Sequence, residues 1–379
     1  MAVVVASGIS QNRATAASGG RNLVRCPVTG NLYVAYASGA AWGQTQQIYV
    51  ATSADEGATW SAEAITSGAY YQYTPSLAVD SAGTLAVVWF AGEQGFANNE
   101  FGTIMSRRKV DGTWEAAEAL SDGDEYVDAC PVVAVDSNAD LHVAWSGLGQ
   151  GTNTDSNNVY YRKRTSGGWG ALALITDLEG YQIELDIQVD TSDRVHLAWT
   201  GENYGAAEEA NIHNDPQIQY CCYDSGWGAI EQLTDIEGNQ YGPVLTTDGD
   251  TVHLAWYGYG WATYSVILYR QKTTGWGAAT QLSDSTLIHY DPTINVVEGA
   301  VNVVWGARDV AWSYQALLTC QVGGSQRSLT TATGIYYASL AEGEAMLVWT
   351  AFLSGVGYFV YFDGITPPPA GSVWVCLLS

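Results

Sequence analysis

Seven times along the chain, a short strand of alternating apolar and polar residues ends on an aromatic ring. The segments are LYVAY ending at Tyr36, LAVVW at Trp89, LHVAW at Trp145, VHLAW at Trp199, VHLAW at Trp256, VNVVW at Trp305 and AMLVW at Trp349. These rings recur at intervals of 44 to 57 residues. Alternation of period two marks a half-buried strand, and self-similarity at a fixed period marks a repeat architecture. After each of the first five rings comes a Gly-containing turn closed by Trp60, Trp114, Trp169, Trp227 or Trp276. The sixth unit has Gly323-Gly324-Ser325 in its place. The seventh has the Pro-rich turn Pro367 to Pro369 before Val373-Trp374-Val375.

Each unit divides into four strands. In the second, strand A is Ser76 to Val79, B is Thr84 to Phe90, C is Gly102 to Lys109 and D is Glu115 to Leu120. Four antiparallel strands repeated in this way predict an all-β fold, a seven-bladed β-propeller of four-stranded antiparallel blades. The blades are expected at about 22–66, 74–121, 129–176, 184–234, 242–283, 291–330 and 336–379, within a single domain. Residues 1–21 either lie free or add an edge strand, because the last unit already holds a full set of strands through Val373 to Leu378. The recurrent Trp rings then fill the wedge between neighbouring blades. His142, His196 and His253 each stand three residues before a strand-B Trp, which makes them repeat positions and not a metal cluster.

Composition narrows the partners. Hydrophobic residues make up 47% of the chain and charged residues only 14%, and the formal net charge is −25. So negative a surface repels nucleic acid and anionic membranes. No stretch approaches the length of a membrane span, so no membrane insertion is expected. The beginning, Met1-Ala-Val-Val-Val-Ala-Ser, lacks the basic and apolar regions of a signal peptide. The expected location is therefore cytoplasmic, or extracellular in a virion after lysis. Cys26, Cys130, Cys221, Cys222, Cys320 and Cys376 have no metal-type spacing and read as buried thiols.

The turn Ser53-Ala-Asp55-Glu-Gly57-Ala-Thr59-Trp60 matches the Asp-box, S-x-D-x-G-x-T-W, at every defined position. With the VHLAW strands, it makes the chain resemble the sialidase-like (BNR-repeat) β-propellers over nearly its whole length. In that family the Asp-box is a folding feature, so Ser53, Asp55, Gly57, Thr59 and Trp60 are expected to be structural. The resemblance also implies what a catalytic member would need: three arginines for the substrate carboxylate, a Tyr/Glu nucleophile pair and an Asp acid/base. Here ten of the fourteen basic residues, among them Arg107 to Lys109, Arg162 to Arg164, Arg194, Arg270, Lys272 and Arg327, fall towards the face of the Asp-box turns. Arg25, in Arg25-Cys26-Pro27, aligns as a repeat position; Arg308, Arg13 and Arg21 are the ones in reach of the opposite face. The arginine triad is not identifiable, and the expectation is a non-catalytic member.

That opposite face, formed by the D-to-A and B-to-C loops, carries the candidate chemistry. The D-to-A loops bring Tyr73, Tyr126 with Asp128, Tyr181 with Glu184 and Asp186, Tyr241, Tyr290 with Asp291, and Tyr336. The B-to-C loops add Trp42, Trp261 and Trp312. Rings that stack on sugar C–H bonds, beside carboxylates that accept from hydroxyls, are the chemistry of glycan recognition. Clustered carboxylates also suit Ca²⁺, although no motif requires a cofactor. The reading is a recognition or structural propeller that binds a glycan or protein surface, such as a phage tail or head adhesin or decoration within a larger assembly. A glycoside hydrolase using Tyr and carboxylates of this face, and an assembly scaffold, are the alternatives.

Overall fold

The computed structural model describes residues 2–9, 19–39, 45–68, 71–92, 102–121, 129–202, 215–312, 315–331, 335–353 and 357–364. They form an all-β propeller. Unit one has strand A at Leu23–Arg25, B at Leu32–Gly39, C at Gln46–Ser53 and D at Ser61–Ala64. Unit two runs A Tyr71–Val79, B Leu85–Gly92 and C Gly102–Val110, and unit three A Ala129–Val135, B Leu141–Gly147 and C Asn158–Thr165. Unit four runs A Gln182–Val189, B Val195–Gly201 and C Gln217–Tyr223, and unit five A Gln240–Asp248, B Thr251–Gly258 and C Val266–Lys272. Unit six runs A Ile288–Val297, B Ala300–Arg308 and C Gln315–Gln321. Short D strands complete units two to six on the outside.

The sheet count differs from the expectation of seven separate blades. The described strands make six hydrogen-bonded sheets: five are single blades of four or five strands, and one holds nine. The nine-stranded sheet arises because units one and two are joined by a parallel bridge between Gln46, at the start of one C strand, and Tyr71, at the start of the next A strand. The last sheet takes an edge strand from the other end of the chain, one of the two expectations for residues 1–21. Its strands are Ile335–Leu340, Met346–Leu353 and Gly357–Gly364, and beside the third lies Val3–Ile9 from the other end of the chain. Val373 to Leu378 lie outside the described residues.

Packing follows the repeat. Trp89, Trp145, Trp199, Trp256 and Trp305 are all at most 1% exposed, which identifies them as wedge fillers. Each indole N–H needs an acceptor once buried. Trp199 Nε1 donates to Gln182 Oε1 (2.7 Å), Trp256 Nε1 to Gln240 Oε1 (3.0 Å) and Trp305 Nε1 to His289 Nδ1 (2.9 Å); Trp89 donates to Gln72 in the same way. A second repeated device joins blade to blade. Arg162 Nε donates to Gly170 O (2.8 Å) in its own blade and its Nη1 to Leu120 O (2.8 Å) in the preceding one. Arg107 and Arg270 repeat the pattern towards Ile65 and Leu233. These cations are thus inter-blade staples.

The ring closes between units one and seven. Asn22 N donates to Ser339 Oγ (2.9 Å), and Arg25 bridges Glu344 (2.7 Å) and Glu56 (2.7 Å). The turn from Ser53 to Trp60 packs on this seam, with the Trp60 ring 5.3 Å from that of Phe362. Ser53 Oγ accepts from Gly57 N (2.9 Å), Asp55 Oδ1 accepts from Thr59 N (2.8 Å), and Trp60 Nε1 donates to Gly57 O (3.0 Å). Gly57 has φ +84°, and a Cβ there would lie 2.0 Å from the Phe362 ring, so the turn approaches the last sheet only because the residue is glycine.

Candidate functional site

The A strands share a feature at the end facing the D-to-A loops. In units two to six the register of A against B shifts by a bulge, between Tyr73 and Ser76, Ala129 and Val132, Ile183 and Asp186, Tyr241 and Val244, and Tyr290 and Thr293. One residue in each bulge adopts a left-handed backbone: Thr74 (φ +50°), Cys130 (+50°), Glu184 (+55°), Gly242 (+56°) and Asp291 (+49°). A bulge bends the strand and re-aims the side chains on either side of it. Glu184 and Asp291 therefore project from bulges, where non-Gly residues hold a strained conformation common at functional sites.

Around Glu184 the structure assembles a polar and aromatic cluster. Glu184 Oε2 accepts from Gly242 N (2.8 Å) and Thr200 Oγ1 (3.2 Å), which ties unit four to unit five. The Tyr241 and Tyr257 rings are 5.7 Å apart on adjacent strands of unit five, and Asn239 Nδ2 donates to Tyr241 Oη (2.6 Å). Gly242 lets the Tyr257 ring approach, since a Cβ would stand 3.1 Å from Cε1. Burial pushes the Tyr257 phenol well above the usual tyrosine range, and the nearby Glu184 and Asp291 carboxylates push it further. Burial raises the Tyr241 phenol and the Glu202 carboxyl as well.

Exposed rings flank the cluster. Among the described residues, eight large hydrophobic side chains are exposed. Five of them, Tyr181, Tyr259, Trp261, Val310 and Trp312, stand on the loops of this face in units four, five and six. Three of them are tied by backbone or amide bonds. Glu202 N donates to Tyr181 O (2.9 Å), Gln240 Nε2 to Tyr259 O (2.8 Å), and Trp261 Nε1 to Gln240 Oε1 (3.2 Å). The Arg308 guanidinium lies 3.7 Å from the centroid of the Trp312 ring, a cation–π stack that leaves the outer face of the indole open.

The other sequence candidates fall differently. Tyr73 packs on Phe90 (4.6 Å), and the Tyr290 ring covers Gly306, so both rings serve cross-strand packing. Asp186 lies beyond the bulge, 3% exposed, with its oxygens accepting from Leu245 N (2.6 Å) and Ile187 N (2.8 Å). It belongs to the wall of the axial channel. Tyr336 pairs with Thr350 across the strands, and Trp42, Tyr126 and Asp128 lie outside the described residues. The histidines bind within their blades: His142 contacts Asp136 (3.1 Å) and Tyr161 (2.6 Å), and His196 contacts Asp190 (3.0 Å) and Tyr220 (2.8 Å). No group of three or more metal-ligating side chains occurs among the described residues. Cys26, Cys221, Cys222 and Cys320 are free thiols. No helix among the described residues is long and apolar enough to cross a membrane.

Tyr257 and Thr200 were missed in the sequence. Each directly follows a strand-B Trp, a column otherwise filled by Ala37, Phe90, Ser146, Gly306 and Thr350. A hydroxyl-bearing ring in a column of mostly small residues is the signal that could have found Tyr257.

No protein-family model matches the chain, and no curated protein does. Solved structures share its fold. A polysaccharide lyase of family PL25, an ulvan lyase bound to -[GlcA(1-4)Rha3S]-, superposes with a TM-score of 0.66 at 12% identity, covering 96% of both chains. The α-L-arabinanase of Penicillium chrysogenum, complexed with arabinobiose, gives 0.54 at 12% identity over 96% of this chain and 99% of its own. A prolyl endopeptidase gives 0.56 at 11% identity over 93% of this chain but 48% of its own. At these identities the likeness concerns the fold; the same propeller occurs beside different chemistries.

Proposed function

We propose that the face formed by the D-to-A loops of units four to six and the B-to-C loops of units five and six binds a glycan. The observation that carries this reading is the cluster of Glu184, Tyr241, Tyr257 and Asp291 flanked by the exposed rings of Tyr181, Tyr259, Trp261 and Trp312. Carboxylates accept hydrogen bonds from sugar hydroxyls, and an exposed ring covers the apolar face of a pyranose or furanose. The lyase and the arabinanase that share the fold, both described with saccharides bound, support the same class of ligand. The test is binding to a glycan array followed by titration calorimetry on the responding sugar. Trp261→Ala is expected to weaken binding roughly tenfold, the size of one stacking contact. A wild-type protein that binds no glycan, or a Trp261→Ala variant that binds as tightly, would sink the reading.

A further inference from the structure

We propose, on the reading of this face as a glycan site, that its ligand is an extended chain of at least three sugars laid along the rim across units four, five and six, and not a single terminal sugar in the axial channel. Two independent observations lead there.

The first is the distribution of rings. Tyr181 belongs to the loop entering unit four, Trp261 to the B-to-C loop of unit five and Trp312 to the equivalent loop of unit six; they are 60%, 38% and 54% exposed. Each is fixed by its own blade, through Glu202, Gln240 and Arg308 in turn. Sheets packed face to face stand about 10 Å apart, farther than one sugar ring covers, so platforms on successive blades address successive parts of a ligand. Glu184 and Asp291 stand in the A-strand bulges of units four and six, at the end of the strands that faces the same loops.

The second is that the axis is obstructed. Residues 19–22 cross the channel, in contact with the A strands of units two, four and five. Gly19 N donates to Leu185 O (3.2 Å) in unit four, and Arg21 reaches Gln188 Oε1 (2.7 Å) and Leu245 O (2.7 Å) in units four and five. Arg21 O in turn accepts from Leu77 N (2.8 Å) in unit two. Gly19 fits so tightly against Asp186 that a Cβ would lie 2.2 Å from its side chain. This crossing occupies the axis, while the three exposed rings stand on the rim.

The experiment is a chain-length series. Arabino-, xylo-, galacto- and galacturono-oligosaccharides of one to six residues are titrated against the wild type, Tyr181→Ala and Trp312→Ala, with thermal melts confirming that the variants fold. In the responding series, affinity is expected to rise at least tenfold from the monosaccharide to the trisaccharide or beyond. Each end variant should lose roughly fivefold in affinity for the hexasaccharide and stay within twofold of the wild type for the shortest ligand that binds. A monosaccharide that binds as tightly as the hexasaccharide, or end variants that leave the hexasaccharide affinity unchanged, would overturn the extended-chain proposal while leaving the glycan site intact. Binding to none of the four series would remove the glycan reading, and this proposal with it.

Discussion

At the scale of single residues, the titratable group with the clearest consequence is Asp186. Burial in the channel wall pushes its carboxyl up to about 7, against the opposing charge of Arg21 and two backbone N–H donors. In an unfolded chain an aspartate titrates near 3.9. The native state thus holds the proton more tightly, and the stability gained from this is fully present below about pH 4 and lost as pH rises through about 7. Asp186→Asn cannot titrate. The stability of the wild type relative to this variant is expected to fall between pH 4 and pH 8, as read by denaturant melts at a series of pH values. A difference that stays constant across that range would refute the assignment. Residue types alone placed Asp186 on the rim with Glu184, because both follow Tyr181 in one acidic loop. What separates them is the bulge between Ile183 and Asp186, which sends one carboxylate to the loop face and the other into the wall.

At the scale of elements, two devices recur from blade to blade, and they differ in legibility. The strand-B Trp column could be read directly, since large rings at a regular interval have few other uses. The bulge could not: Thr74, Cys130, Glu184, Gly242 and Asp291 share a backbone conformation and no side-chain chemistry. The A strands accordingly extend beyond the sequence reading, unit two beginning at Tyr71 and not at Ser76. Gly242→Ala tests the bulge. An alanine at φ +56°, 3.1 Å from Tyr257, is expected to cost about 1–2 kcal/mol in stability, measured by chemical denaturation, and to weaken glycan binding by moving Tyr257. The arginine staples could not be read either: the sequence places Arg162 towards the face of the Trp-closed turns, but its acceptors are the carbonyls of Gly170 and Leu120, which a sequence does not display. Arg162→Met keeps the aliphatic stem and leaves both carbonyls without this donor. A loss of about 1–3 kcal/mol is expected in the same measurement, and a variant as stable as the wild type would remove the staple from the account.

At the scale of the whole molecule, the −25 charge and the few cations make a single picture. Among the described residues six cations are drawn into the frame: Arg25 to the seam, Lys109 to Glu63 (2.6 Å), Lys272 to Glu231 (2.7 Å), and Arg107, Arg162 and Arg270 to the staples, whereas Arg308 stacks on Trp312 at the loop face. The loop face carries Glu184, Glu202 and Asp291 as well as the exposed rings of Tyr181, Tyr259, Trp261 and Trp312. The propeller and its register were legible because every blade solves the same packing problem and therefore repeats the same residues. The site was only partly legible because it depends on where the repeat is broken, at Tyr257 and at the bulge carboxylates.

The strand Val3–Ile9 pairs with Gly357–Gly364, so the last sheet is completed by the first strand of the chain. Val3 lies opposite Phe362, and that contact closes a loop of nearly the full chain length. Loops of that size form late and slowly, because their entropy is lost before any contact repays it. During synthesis the leading strand must therefore wait, with its hydrogen-bonding edge uncovered, until the final sheet emerges. Such an edge invites pairing with a second copy of the same chain. Crowded synthesis would thus convert the clasp that finishes one ring into a link between two, with exchanged leading strands as its product.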